Sequence, residues 1–219
     1  VLYAQSSDSL LIVFQALDAG GKDGAIRRVF KGANPQGVRV ASFKRPTQEE
    51  FDHDFLWRIH PHTPKRGMVS IFNRSHYEDV IATRVLGIID DDVCKDRYEQ
   101  INQFEHSLTQ HGTTILKFYL HISKDEQKRR FQDRLDNPTK HWKFSVADLE
   151  TRQQWALYMD AYSDALKHCH RNRAPWHIIP ADDKSYRNLA VTRVIVHTLR
   201  EMAPKFPAPE PGLDSIEIE

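Results

Sequence analysis

The stretch Leu10–Gly24 reads LLIVFQALDAGGKDG and predicts a buried β-strand that runs through a glycine-rich turn into a helix. Its apolar part, residues 10–16, is short and rich in branched side chains, which is typical of a strand buried on both faces of a parallel sheet. In such a turn, consecutive backbone N–H groups converge on a phosphate, and a lysine can reach the phosphate oxygens. The segment therefore predicts a P-loop.

The match to the usual P-loop pattern, GxxxxGK followed by Ser or Thr, is imperfect. Ala16 stands where the first glycine belongs, and Asp23 stands where a hydroxyl would hold magnesium. A tight turn without a ligand is the alternative interpretation. The predicted phosphate-binding residues are Ala19, Gly20, Gly21, Lys22, Asp23 and Gly24.

Further strands and helices alternate along the chain. Apolar runs predict strands at 38–42, 68–72, 115–120 and 177–180, and helical periodicity covers 22–32, 48–58, 77–87, 95–111, 124–135, 147–170 and 184–201. This alternation predicts an α/β fold, a three-layer sandwich whose five-stranded parallel sheet has helices on both faces. We expect one domain over residues 1–202, with a helical lid at about 130–148, and an extended, proline-rich tail over 203–219.

Composition narrows the class of protein. The 219 residues are 40% hydrophobic and 28% charged, with a net charge of +1, so the overall charge does not indicate a nucleic-acid partner. The longest apolar run, Leu10–Phe14, is far shorter than a membrane span. Cys94 and Cys169 form no CxxC pair and favour a reducing compartment. We therefore expect a cytoplasmic enzyme without a membrane partner.

Polar residues follow the predicted third strand. Asn73 occupies the point where P-loop enzymes place a metal-organising carboxylate, and Arg74, Glu78 and Asp79 come close behind. Arg74 would lie at the rim where open α/β sheets bind ligands. Glu78 and Asp79 are candidate nucleotide-binding residues, although acidic residues also favour a helix N-terminus for purely local reasons.

Basic residues are predicted to reach the same rim from two other segments. Arg130 and Arg134 are spaced to share one helix face, and Lys140 and Lys143 follow in the lid. This set could clamp a multiply charged anion from above, or it could be an ordinary solvated helix face. After the second strand, Lys44 and Arg45 are candidate ligands of a nucleotide phosphate.

The helix predicted at 147–170 contains residues that allow two interpretations. Tyr158 and Tyr162 recur at helical spacing among apolar residues, which is more typical of a core than of a platform that stacks a base. Asp148 and Arg152 are spaced i, i+4 and predict a local ion pair.

Taken together, these motifs resemble the polyphosphate kinase 2 family over about residues 10–200. The resemblance rests on DAGGKD at 18–23, NPQGVRVASFK at 34–44, FDHDFLWRI at 51–59, FNRSHYED at 72–79 and NPTKHWKFS at 137–145. The residues of the 51–59 and 72–79 segments are similar to those of the subgroup called class III, whose members act on both AMP and ADP.

The resemblance implies a P-loop kinase-like fold, dependence on Mg²⁺ with Mn²⁺ as a possible substitute, a polyphosphate channel, and a homodimer or homotetramer. It implies that Asp18 and Lys22 lie at the phosphates and metal, that Asp23 supports the loop, and that Arg74 contacts the transferring group. Arg130, Arg134, Lys140 and Lys143 would bind the polyphosphate chain. Where many members carry aspartate, this sequence has Asn73, so the metal-organising role shifts toward Asp18.

The predicted function is transfer of the terminal phosphate of inorganic polyphosphate to AMP and ADP, with guanine nucleotides as further possible acceptors. The catalytic residues would be Asp18, Lys22, Asn73 and Arg74, with Asp18 and Asn73 as metal ligands. Two alternatives remain open: an ATP-dependent nucleoside monophosphate kinase, and a non-catalytic protein that binds polyphosphate or nucleotide.

Overall fold

The computed structural model describes residues 1–213, 216 and 218. The strands are β1 (Ser9–Gln15), β2 (Val38–Ser42), β3 (Val69–Asn73), β4 (Thr113–His121) and β5 (Trp176–Pro180). The helices are α1 (Leu2–Gln5), α2 (Lys22–Val29), α3 (Gln48–Asp52), α4 (Glu78–Val85), α5 (Asp91–Gln110), α6 (Lys124–Leu135), α7 (Ala147–Gln153), α8 (Trp155–Cys169) and α9 (Lys184–Met202). Short 3-10 turns cover Pro35–Gly37, His60–His62 and Pro138–Lys143.

The five strands form one parallel sheet in the order β2-β3-β1-β4-β5. The predicted α/β sandwich is therefore confirmed, and each predicted strand is found within about two residues of its expected ends. Strand β1 lies at the centre, and Phe14 pairs with Asn73 on β3. This register brings the residues after β1 and β3 to the same edge of the sheet, as predicted.

Alternate side chains of β1 supply two separate cores. Leu10, Ile12 and Phe14 pack on one face, where α2 and α9 cover the sheet. Leu11 and Val13 pack on the other face, beneath α4, α5 and α8. All five side chains are fully buried, which explains why this strand is an unbroken apolar run.

Three predicted helical segments differ from the structure by four residues or more or in the number of helices, whereas the helix predicted at 22–32 ends three residues early, at Val29. The helix predicted at 48–58 ends at Asp52, because a Thr47–Glu50 capping box starts only a short helix and extended backbone follows at His53. The segment 147–170 forms two helices that break at Gln154. The helix predicted to begin at 95 starts at Asp91, because the Asp90 side chain caps it by accepting from Val93 N. Helix α1 had no signal in the sequence.

The described residues after α9 carry little regular structure. Helix α9 ends at Met202, and Ala203 follows with φ 43°. Residues 203–210 form neither helix nor strand. The predicted tail extends over positions 214, 215, 217 and 219, which lie outside the described residues, so its boundary stays a prediction. No helix in the described part of the chain combines the length and apolar character that crossing a membrane requires.

Candidate active site

The turn between β1 and α2 has the backbone of a phosphate cradle. Ala19 and Gly21 both have positive φ, at 60° and 91°. Gly20 has no space for a side chain, because a Cβ there would lie 2.5 Å from the Cβ of Ala16 and 2.8 Å from the carbonyl oxygen of Leu17. Gly21 caps α2 and exposes the first N–H groups of that helix. These features fit the predicted P-loop.

Lys22 is buried at the base of the cradle. Its Nζ donates a hydrogen bond to the carbonyl oxygen of Ala16 at 2.7 Å. Burial lowers the pKa of Lys22, and the cationic Arg74 nearby lowers it further. Because an ammonium group has three N–H donors, two remain for phosphate oxygens. Ala16, which replaces the usual glycine, thus anchors the lysine through its backbone.

Asp18 and Arg74 form an ion pair at the rim of the sheet. The Nη2 of Arg74 lies 2.8 Å from the Oδ1 of Asp18, and the arginine side chain remains 41% exposed. Arg74 adopts φ 63°, a left-handed conformation uncommon for a residue with a side chain. Its backbone N–H continues the sheet by donating to the carbonyl oxygen of Phe14 at 3.1 Å.

Asn73 is held by the P-loop. Its Nδ2 donates to the Oδ1 of Asp23 at 2.5 Å, which joins the end of β3 to the start of α2. Within the described residues, the Asn73 amide oxygen accepts no hydrogen bond. Asn73 is therefore the hydrogen-bond partner of Asp23, the residue predicted to support the loop.

The oxygen atoms at this rim suit a hard divalent cation. Asp18 and Asp23 supply carboxylates, and Asn73 supplies an amide oxygen. Mg²⁺ commonly takes one or two protein carboxylates and completes its shell with water and substrate phosphates. Among the described residues, no three His, Cys, Asp or Glu side chains group into a metal cage. Asp18, Asp23 and Asn73 are the residues that could hold a cation shared with a phosphate.

A first cavity of about 610 Å³, here called the phosphate cleft, opens above the P-loop. Most of its polar lining is cationic. The residues that line it include the P-loop 18–24, Arg27, Lys44, Asn73, Arg74, Arg130, Asp133, Arg134, Lys140, Trp142, Lys143, Asp148 and Lys184. All four predicted lid cations reach this cleft, together with two cations, Arg27 and Lys184, that the sequence had not indicated.

The predicted lid cations differ in whether their side chains are available to bind a ligand. Arg130 is buried, and its guanidinium donates to Glu126 and to the carbonyl oxygens of Ala19, Ala181 and Asp182. It therefore supports the P-loop backbone and has little remaining capacity for a ligand. By contrast, Lys140 and Lys143 are exposed at the cleft.

Arg134 and Asp148 form an ion pair within the segment predicted to be a lid. The Nη1 of Arg134 donates to the carbonyl oxygen of Lys143 at 2.9 Å and to Asp148 Oδ2 at 3.3 Å. The predicted local pair of Asp148 with Arg152 is wrong. Arg152 instead donates to the carbonyl oxygen of Lys124 at 2.6 Å and to Gln127 Oε1 at 3.1 Å, which links α7 to the start of α6.

A second cavity of about 580 Å³, here called the acceptor cleft, adjoins the first. The two cavities share the lining residues Asp18, Phe43, Lys44, Arg74 and Asp148. Arg45, Glu78 and Asp79 line the acceptor cleft alone, as do Pro46, Arg58, Ala82, Thr83, Leu86, Thr151, Tyr158 and Tyr162. The two cavities therefore meet at the ion pair of Asp18 and Arg74.

Glu78 and Asp79 play different parts in the acceptor cleft. Burial raises the pKa of Glu78, although Arg74 and Lys22 oppose that shift. With its amide oxygen accepting from Ser75, Gln15 donates to Glu78 Oε1 at 2.8 Å. Asp79 is buried against Arg58, with 3.1 Å between Asp79 Oδ2 and Arg58 Nη2. Asp79 therefore acts first as a structural partner.

Arg58 is a cleft residue that the sequence reasoning missed. Besides its ion pair with Asp79, it donates to the carbonyl oxygen of Lys44 at 2.8 Å, which fixes the loop after β2. The sequence offered one weak signal, an arginine among the otherwise apolar residues 55–59. Tyr158 and Tyr162 are buried in the core, as the first interpretation predicts, and they also line the acceptor cleft, so the stacking of a base on them stays a prediction.

Known proteins are similar to this chain over almost its whole length. A family model described as Polyphosphate kinase 2 (PPK2) matches residues 2–207. An AMP/ADP-polyphosphate phosphotransferase of Meiothermus ruber is 51% identical over 100% of this chain and 82% of its own length. An ADP-polyphosphate phosphotransferase of Rhodopseudomonas palustris is 45% identical over 97% of this chain and 78% of its own length.

A solved structure agrees with these relatives. The crystal structure of polyphosphate kinase 2 from Arthrobacter aurescens TC1 superimposes with a TM-score of 0.95 at 44% identity, covering 98% of this chain and 77% of that one. The resemblance inferred from the motifs and the expected kinase fold are thereby confirmed. On the family match, the close relatives and this superposition, the chain belongs to the polyphosphate kinase 2 family.

Proposed function

We propose that this chain transfers the terminal phosphoryl group of inorganic polyphosphate to AMP and to ADP, giving ADP and ATP. The observation that carries the proposal is the meeting of two cavities at Asp18 and Arg74. One cavity is cationic and contains the P-loop, which suits a long polyanion. The other is bordered by aromatic and aliphatic side chains, which suits a nucleoside.

The donor would bind in the phosphate cleft with its terminal phosphate on the P-loop. The two free N–H groups of Lys22, the backbone N–H groups of Gly21 and the following residues, and exposed Lys140 and Lys143 supply the positive charge. Because these groups already lie in place, they stabilise charge on the phosphoryl group with little rearrangement. The names of the relatives from Meiothermus ruber and Rhodopseudomonas palustris support polyphosphate as the donor.

The nucleotide would bind in the acceptor cleft, with its phosphate toward Arg74, Lys44 and Arg45. An oxygen of that phosphate attacks the terminal phosphorus of polyphosphate, and the bond from that phosphorus to the bridging oxygen breaks. The donor chain leaves shorter by one phosphate. Since the attacking oxygen is already anionic, no strong general base is needed. Arg74 can reach the transferring group because it lies at the junction of both cavities.

We expect the cation to be Mg²⁺, with Mn²⁺ as a substitute, held by Asp18 with Asn73 and Asp23 beside it. When bound, it would neutralise charge on the phosphate oxygens. We further expect a homodimer or homotetramer in the cytoplasm and some activity on guanine nucleotides. These expectations rest on the family resemblance and on the two unpaired cysteines.

A chromatographic nucleotide assay tests the proposal. The protein is incubated with Mg²⁺ and long-chain polyphosphate against AMP, ADP or GMP, without ATP, beside the Lys22→Met variant as a matched control. We expect AMP to yield ADP and then ATP, and the variant to form both products more slowly, on the order of 10²-fold or more. Conversion of ADP alone would exclude the AMP activity. Conversion only after ATP is added would instead identify an ATP-dependent monophosphate kinase.

A further inference from the structure

Behind the P-loop lies a buried arginine that neither the sequence motifs nor the proposed reaction accounts for. Arg187, in the first turns of α9, is only 3% exposed. Its guanidinium packs on the Cα of Gly21, so closely that a Cβ there would collide with Nη1, and a Cβ on Gly24 would lie 3.7 Å from Nη2. The cation therefore lies directly beneath the backbone that forms the phosphate cradle.

Arg187 has no ion-pair partner among the described residues. Its Nε and Nη2 donate to the neutral Oδ1 of Asn188 at 3.2 and 2.8 Å, and Nη1 has no acceptor there. The nearby carboxylates are used elsewhere, since Asp183 caps α9 and Asp182 accepts from the N–H of Ser123. Burial lowers the pKa of Arg187 and Arg130 lowers it further, while Asp183 opposes the shift through space.

Arg130, the neighbouring arginine, has a structural role at this position. Arg130 also lies against Gly21, where a Cβ would be 3.3 Å from its Nη1, yet it is neutralised by Glu126 and bonded to three carbonyl oxygens. Two guanidinium groups thus flank one glycine; Glu126 forms an ion pair with one of them, while Asp183 acts on the other only through space, without an ion pair or hydrogen bond to its side chain. An uncompensated buried cation costs folding free energy, so a purely structural site would be expected to pair it.

We propose that Arg187 is an electrostatic element of the phosphate cleft, whose unpaired charge is compensated by the terminal phosphates of the polyanionic donor across the backbone of Gly21. Lys184, three residues earlier on the same helix face, lines the cleft itself, so α9 contributes to the donor site from behind the loop. This inference rests on the proposed function, because it takes polyphosphate as the donor.

The two roles predict opposite effects of Arg187→Met, which keeps most of the apolar volume and removes the charge. If the charge serves the ligand, the free protein should unfold at an unchanged or higher temperature, while the added stability that polyphosphate gives should shrink. The KM for polyphosphate should rise on the order of tenfold, with less dependence on salt, because one unit charge is lost near the phosphates. The KM for ADP should stay within about twofold.

Two variants serve as comparisons. Arg187→Lys keeps the charge and should retain most of the affinity for polyphosphate. Arg193→Met removes an exposed charge from the same helix, where the described residues give it no hydrogen bond or ion pair, and should change neither KM. The readouts are thermal unfolding with and without long-chain polyphosphate, and steady-state kinetics at two salt concentrations.

The outcomes separate this inference from the proposed function. A wild-type protein that neither binds nor consumes polyphosphate would overturn the proposed function itself. If the wild type is active but Arg187→Met keeps its KM for polyphosphate, or fails to fold, or unfolds several degrees lower when free, Arg187 is a structural support and the inference is wrong.

Discussion

Replacing Gly20 with alanine should damage the P-loop through one added methyl group. The new Cβ would lie 2.5 Å from the Cβ of Ala16 and 2.8 Å from the carbonyl oxygen of Leu17. An ordinary carbon–carbon contact is about 3.5 Å or longer, so relief requires a shift of about 1 Å. The turn cannot widen freely, because the N–H of Gly20 already donates to the Leu17 carbonyl oxygen at 2.9 Å.

A shift of that size has a predictable effect on catalysis. The carbonyl oxygen of Ala16 anchors Lys22, and Asp18 lies within the displaced segment. A displacement of about 1 Å at a reacting centre commonly lowers activity on the order of 10²-fold. We expect kcat/KM for ADP phosphorylation from polyphosphate to fall by about that factor. Overpacking should also lower the free energy of unfolding by about 1–3 kcal/mol.

Gly32→Ala is the matched control, because it makes the same chemical change just beyond α2, where a Cβ would meet no atom within 4 Å. Steady-state chromatographic assays and urea unfolding should be run on both variants. Gly32→Ala should behave like the wild type. The reasoning is refuted if Gly20→Ala keeps kcat/KM within about threefold of the wild type, or if both variants lose activity equally.

Further predictions concern the lysine of the cradle, the buried core pair and the cysteines. Lys22→Met should lower kcat on the order of 10²-fold or more, because it removes a cation that stabilises charge on the transferring phosphoryl group. It should not lower the midpoint of urea unfolding, because burial of that cation is itself unfavourable for folding. A variant with near wild-type kcat would contradict the catalytic role of Lys22. Lys117→Met should cost about 3–5 kcal/mol in urea unfolding, since it leaves the buried Glu105 carboxylate without its lysine, which lies 2.6 Å away, although Tyr77 still donates to it at 2.8 Å. Adding Glu105→Leu should recover much of that loss. Cys94 and Cys169 are buried, and burial raises the pKa of Cys169 to about 12, so a thiol reagent near neutral pH should react with both only after unfolding.

The sheet and the P-loop were predictable from sequence because their signals are local. Residues 10–14 of β1 are a continuous buried apolar run, and Gly20 and Gly21 stand at positions where the backbone excludes a side chain or needs positive φ. The prediction of a helix at 48–58 was wrong because it relied on a local signal alone. Apolar residues at 51 and 55 satisfy helical spacing, but pattern alone does not show that the backbone becomes extended at His53.

Side chains whose roles depend on distant partners were much harder to predict. Arg58 and Arg187 act through contacts with segments far along the chain, so neither has a local motif. Lys117 had a usable signal, a lone charge inside the apolar run of β4. Arg130 was predicted from its spacing to bind ligand, and the spacing did not reveal the backbone carbonyls that occupy its guanidinium.

The amide at position 73 has a physical explanation in its contact with Asp23. An aspartate there would place two carboxylates within hydrogen-bond distance, an arrangement that needs a shared proton or a cation between them. Asn73 instead donates to Asp23, so the ends of β3 and the P-loop are joined before any ligand arrives. Asp18, which Arg74 balances at 2.8 Å, and Asp148 are the two carboxylates that line both cavities. The amide at position 73 therefore joins β3 to the P-loop without adding a second carboxylate beside Asp23.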